Sequence, residues 1–281
     1  MSQELKMRIH HRGRGLLAAL AVLTTPAVAH DTWFAPLPAT AEGAAVLALG
    51  TGTQFPQQQY PVSMAQLQRS GCGGEGGREV PLRRQAEQPA ALVLRTARAL
   101  PASATLSCWA QLAPLDIEID DATVEVYLKE IAALPAVRER WAALRARGVR
   151  WKESYVKHAR IELGGDTSAG SGRAQATPTT GPMGLDVRLQ AGPWPLRVGD
   201  TLRAQVLRDG QPLAGQPVEL RSDLSPLGLW RQTDAQGRIE VKVPLAARWV
   251  LRGVDIRPSE LRADAWDSRF VTLAFEVLPQ R

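Results

Sequence analysis

The residues best suited to hold a metal ion in this sequence are His30, His158 and Asp31. Imidazole is a good ligand for Cu, Zn, Ni and Fe. The other two histidines, His10 and His11, lie in a segment that reads as a removable leader. Lys6, Arg8, Arg12 and Arg14 make its start basic, Leu16 to Val28 is apolar, and Ala27-Val28-Ala29 is the small-x-small pattern of a signal-peptidase site. A cut between Ala29 and His30 exposes the α-amine of His30 beside its own ring. An ordinary α-amine has a pKa near 8, so losing its proton to a metal at neutral pH costs only about 1 kcal/mol. Amine, ring and a second imidazole from His158 would form the three-nitrogen, T-shaped set called a histidine brace, and Asp31 would add an oxygen. Thr32 stands at the third position after the cut, which excludes the amino-terminal copper–nickel motif.

A plainer reading competes for His158. Trp151, Tyr155 and His158 fall at i, i+4 and i+7, one face of a helix if the segment is helical. Histidine beside such aromatic residues is more often at the edge of a core than on a metal.

Other chemistry has little to stand on. The sequence lacks G-x-S-x-G, H-E-x-x-H and G-x-x-x-x-G-K-[ST]. Gly71 to Gly77 is a glycine-rich turn that matches G-x-G-x-x-G by letters, but Val80-Pro81-Leu82 follows, which starts no helix. Asp120-Asp121 reads as a helix cap rather than an acid pair. Cys72 and Cys108 are expected to form a disulfide, which removes both as nucleophiles. The expectation is therefore a protein that is not an enzyme.

Composition agrees with a folded, exported chain. The apolar fraction is 44% and the charged fraction 22%, the balance of a globular protein. The formal charge of +6 falls to about +3 without residues 1–29, and no basic tract is interleaved with aromatics, so nucleic acid is not an expected partner. Leu16 to Val28 is shorter than the roughly 20 residues of a spanning helix, and no second apolar run of that length exists. The reading is a periplasmic protein without an integral membrane segment, started at Met1 or Met7.

The chain divides into parts. Residues 30–163 read as an N-terminal β domain with a helical segment over about 121–160. There Asp120-Asp121 starts one helix, Pro135 opens a second that Gly148 ends, and Trp151 to Arg160 forms a third. Residues 164–182, rich in Gly, Ser and Thr, read as a linker. Residues 183–281 hold about seven short strands with an Asp209-Gly210 hairpin turn and strict alternation at Ile239, Val241 and Val243. The fold class expected is mainly β: two β-sandwich domains of immunoglobulin or transthyretin-like type, with a helical insertion between them.

The chain as a whole resembles the exported domain-of-unknown-function family 4198. The resemblance is carried by His30-Asp31-Thr32-Trp33, Gly50, Phe55-Pro56, Tyr60-Pro61 and the Glu153 to Ala159 segment. It continues through Arg197-Val198-Gly199-Asp200, Gly210 to Gly215, Thr233 to Gly237 and Trp249, and ends with Trp266-Asp267-Ser268 and Thr272 to Val277. Members near nickel systems are richer in histidine where this chain has Thr51 and Thr53. Some members are accessory proteins of nickel or cobalt uptake, so the resemblance implies an exported, β-rich protein linked to metal handling, and no reaction. Together these readings lead to a periplasmic accessory protein that binds a Ni, Co or Cu ion, or a partner such as a membrane metal transporter or another envelope protein. Two alternatives are a metal-free interaction module of the envelope and a histidine-brace copper oxygenase.

Overall fold

The computed structural model describes residues 30–74, 79–99, 105–164, 174–175, 183–190 and 192–280. The expected leader, its cut after Ala29 and both starts lie outside these residues. So does most of the 164–182 segment.

In chain order, the first strands are β1 (Asp31–Leu37), β2 (Val46–Gly52), β3 (Tyr60–Pro61), β4 (Leu67–Gly74), β5 (Glu79–Gln88), β6 (Ala91–Thr96), β7 (Leu106–Leu112) and β8 (Leu115–Ile119). Helices α1 (Asp121–Glu130) and α2 (Pro135–Ala146) follow, then β9 (Trp151–Leu163), β10 (Ala174–Gln175), β11 (Leu185–Leu189), β12 (Pro193–Trp194) and β13 (Leu196–Arg197). The chain ends with β14 (Thr201–Arg208), β15 (Gln211–Pro212), β16 (Pro217–Ser222), β17 (Ser225–Gln232), β18 (Arg238–Lys242), β19 (Ala247–Pro258) and β20 (Trp266–Leu278). The protein is mainly β, as its alternating and apolar runs predict, with the helices as an insertion over 121–146.

One mixed sheet runs through the molecule in the order β1-β2-β6-β5-β4-β7-β9-β20-β19-β16-β17. Its turning point is β5, whose Glu79, Val80 and Pro81 pair with β4 while Leu82 to Gln88 pair with β6. The sheet thereby doubles back, and Phe34, Leu47, Leu49, Leu92 and Leu94 share one core with Cys72, Cys108, Ala159 and Ile161. A second sheet, β11-β14-β18, covers the other end. Val187, Leu202, Val206, Ile239 and Val241 meet Val218, Leu220, Leu251, Leu273 and Phe275 in a separate core. The two halves are also stitched together directly. Strands β9 and β20, on either side of 164–182 in sequence, are parallel neighbours from Trp266 opposite Glu153 to Ala274 opposite Ile161.

The helical insertion is shorter than expected. Asp120 caps α1 by accepting from the Thr123 N–H at 2.9 Å, and Pro135 opens α2. Gly148 leaves α2 at φ +76°, and the next segment is strand, not a third helix. The Trp151, Tyr155 and His158 spacing is therefore not a helical face. β9 lies between β7 and β8 on one side and β20 on the other. From His158 to Glu162 it is buried at every position, so burial there does not alternate along the strand. The glycine-rich turn is corrected in the same way: Gly71, Gly73 and Gly74 belong to β4, and residues 75–78 lie outside the described ones.

Candidate functional site

The expected disulfide is present. Cys72 on β4 and Cys108 on β7 stand directly opposite each other in the antiparallel register and are bonded, both fully buried. It ties the two neighbouring strands that wall the first core.

At the start of β1 the polar residues are locked rather than open. Arg252 on β19 donates to the Asp31 carboxylate at 2.8 Å, to Glu219 on β16 at 2.8 Å and to the Glu130 carbonyl at the end of α1 at 2.7 Å. Burial alone would lower the Arg252 pKa, but Asp31 and Glu219 raise it above its ordinary value. The Thr272 hydroxyl donates to the Thr32 carbonyl, and the Thr32 and Thr51 hydroxyls meet at 2.7 Å. The His30-Asp31-Thr32-Trp33 motif thus anchors β1 across the central sheet. His30 is half-buried, with its ring 5.3 Å edge-on from Tyr60.

His158 is elsewhere. Successive side chains of a strand point to opposite faces. Lys157 senses Asp31, and burial lowers its pKa to about 8. His158, one residue on, lies against Gly184, with Asp186, Asp209 and Arg269 as its charged neighbours. Its Nδ1 bonds the Phe270 carbonyl at 2.9 Å, and burial pushes its pKa down to about 4. The sheet separates His158 from Asp31, so the structure does not bring His30 and His158 onto one ion. Asp31 is committed to Arg252. Among the described residues no group of three His, Cys, Asp or Glu side chains is placed to hold a metal.

Charged residues that the sequence reading passed over are buried instead. Glu153 on β9 accepts from Tyr127 Oη at 2.9 Å, from Trp151 Nε1 at 2.8 Å and from the Ser268 hydroxyl. Burial raises its pKa, and these three bonds oppose the rise. At the other end of β9, Arg160 is fully buried and clasps Asp186 at 2.8 and 2.9 Å. Beside it, Glu162 accepts from Ser107 at 2.5 Å, and burial raises its pKa to about 7 against the pull of Arg160. The sequence signal for Arg160 and Glu162 was a polar alternation, Lys152, Ser154, His158, Arg160 and Glu162, that reads as a solvent face and is buried at its C-terminal end.

Glu162 opens on a cleft of about 410 Å³ between the two cores. Phe34, Phe55, Trp194, Trp249 and Phe275 line it, with Pro36, Pro56 and Pro195 between them. The cleft exists because β9 stops pairing with β20 at Ala274, and β13 takes up the same edge only at Val277. The β1 end Phe34 to Pro36 and the Phe55-Pro56 loop close over the resulting notch.

A family described as a domain of unknown function, DUF4198, matches residues 27–254. The chain belongs to that family. No curated protein matches it. For this DUF4198 member the match covers β1, the helices, β9 and most of β19, and so includes Asp31, Arg252, Glu153 and Glu162.

Proposed function

We propose that the protein is an exported, non-catalytic binding module of the cell envelope, and that its ligand occupies the cleft between the two cores. The cleft carries this reading. Small-molecule sites are typically concave, of about 300–1,000 Å³, mostly apolar, and seated where two units meet. The cleft has that size, an aromatic lining and one buried acid. Export is supported by the leader-like residues before His30 and by the disulfide. Among the described residues no helix is long and apolar enough to cross a membrane. The test is ligand-observed NMR with a fragment set on the wild type and on Ala35→Trp, which fills the cleft from β1. Fragments that bind the wild type and are lost in the variant support the site; equal binding to both proteins overturns it.

A second reading keeps the metal at His30 alone. The ordered contact with Tyr60 favours it, because the ring is held at the start of a strand. After a cut at Ala29, the α-amine and ring nitrogen would chelate Cu, Ni or Co, and a membrane metal transporter would be the partner. Calorimetry with copper and nickel on leader-free protein should show one site that His30→Ala abolishes while His158→Ala leaves it intact. Equal affinity in the His30→Ala protein would dispose of this reading.

A further inference from the structure

We infer that the cleft takes a small organic cation, an amine or quaternary ammonium group, with its body on the aromatic lining and its positive head toward Glu162. This rests on the cleft being the ligand site and goes further by naming the charge of the ligand.

The first argument is the lining. Phe34, Phe55, Trp194, Trp249 and Phe275 come from five separate segments to one cavity. Aromatic faces carry negative potential and attract a cation within about 6 Å, most strongly where water is excluded. The second argument is Glu162. It is 3% exposed, and its hydrogen bond comes from the neutral Ser107 hydroxyl. The nearest guanidinium, Arg160, spends its fork on Asp186 and its remaining Nη1 on Ser107 at 3.0 Å. Among the described residues Glu162 has no ion pair of its own, and burial outweighs the attraction of Arg160, a costly state for a carboxylate. A bound cation would complete it, whereas a neutral apolar ligand would cover it and deepen the cost.

The charges around the cleft lean the same way. Glu276 on β20 lines it as a second acid. Arg248, the one cation among the described lining residues, is held by Asp223 at 2.7 Å. Groups facing Glu162 from the packed elements are Ser107 on β7, Arg160 on its own strand and Asp186 on β11, with Glu276 and Arg248 across the cleft. Asp186 is shared between Arg160 and the partly exposed Arg188, each at 2.8 Å. With Arg248 offset by Asp223, the three carboxylates outnumber the two remaining guanidiniums by one, and the cleft presents a net negative charge.

The experiment uses choline and its neutral isostere 3,3-dimethylbutan-1-ol on the full chain, by calorimetry. Choline should bind at least about tenfold more tightly, the factor worth about 1.4 kcal/mol. Glu162→Gln should remove that preference and leave the isostere unchanged. Glu276→Gln, on an exposed side chain, should reduce the preference less, and it guards against a folding defect in the first variant. Choline affinity should fall as pH drops from about 8 to about 5.5, because Glu162 takes up a proton in that window. Equal binding of the two probes, or a preference untouched by Glu162→Gln, overturns the cation and leaves the cleft standing as a site. If neither probe binds the wild type, the cation inference fails, and the Ala35→Trp fragment comparison decides the cleft separately.

Discussion

Glu153 and Glu162 sit near the two ends of the same strand, both buried and both with pKa raised by burial, yet they are opposite kinds of residue. Glu153 receives three donors, from α1, from its own strand and from β20, and the Trp151 and Trp266 rings stack beside it at 4.9 Å. Its lone pairs are filled by the protein itself. Among the described residues Glu162 receives one donor, and it faces a cavity. A buried carboxylate that the fold satisfies is a fastener. One that the fold leaves half-satisfied beside open space is a place for something else to bind. The contrast holds although nothing in residue type or burial separates the two.

The strongest way to break it is at the fastener. Glu153→Ala leaves the Tyr127, Trp151 and Ser268 donors unpartnered inside the helical core, and should cost about 3–5 kcal/mol in urea unfolding near neutral pH. Glu153→Gln should cost less, about 1–3 kcal/mol, because its amide oxygen still accepts while its NH2 confronts the Trp151 N–H. A loss below about 0.5 kcal/mol for the alanine variant, the size of an ordinary surface change, would mean that the three bonds are not fastening anything.

Glu162 should respond in the opposite sense. Its folded pKa of about 7 lies above the ordinary carboxylate value. Its contribution to stability is therefore complete below the unfolded pKa of about 4.3 and is lost as pH rises through about 7, a change of up to about 3 kcal/mol. Glu162→Gln has no such proton to lose. The variant should be more stable than the wild type at about pH 8, with the advantage gone by about pH 5. Parallel unfolding curves at the two pH values check it, and a variant destabilised equally at both would place Glu162 in the same class as Glu153.

How much of this was legible beforehand depends on the range of the interaction. Alternation at Ile239, Val241 and Val243, the Asp209-Gly210 turn with both residues at positive φ, and the Asp120 cap are local, and the sequence displays them. The Cys72–Cys108 pair followed from the count of two cysteines and the expectation of export. β9 misled because its aromatic spacing mimicked a helix, and because its polar side, His158, Arg160 and Glu162, is buried instead of facing water. Asp31 and His158 share a chemistry in sequence, but one residue of parity on β9, between Lys157 and His158, puts them on opposite faces. The cleft was invisible for a different reason. Its walls come from β1, the Phe55 loop, the end of β9, β12 and the ends of β19 and β20, and only the register of β9 and β13 along β20 leaves the notch between them.

The smallest expected effect is the most discriminating. Ser107 stands between the satisfied pair and the unsatisfied acid, donating to Glu162 and accepting from Arg160. Ser107→Ala removes the one neutral bond that holds Glu162 as a carboxylate, while Arg160 keeps both contacts to Asp186. The global loss should be about 2 kcal/mol, since two buried hydrogen bonds go, one to Glu162 and one from Arg160, and no ion pair is broken. The midpoint of the Glu162 stability profile, however, should move to higher pH, because the bond favours the charged form. Monitoring that midpoint against Glu162→Gln as the blank isolates the acid from every other titrating group. A midpoint that stays in place would mean that Arg160, not Ser107, governs Glu162. The acid would then be part of the buried ion cluster, and the difference between the two ends of β9 would be one of degree.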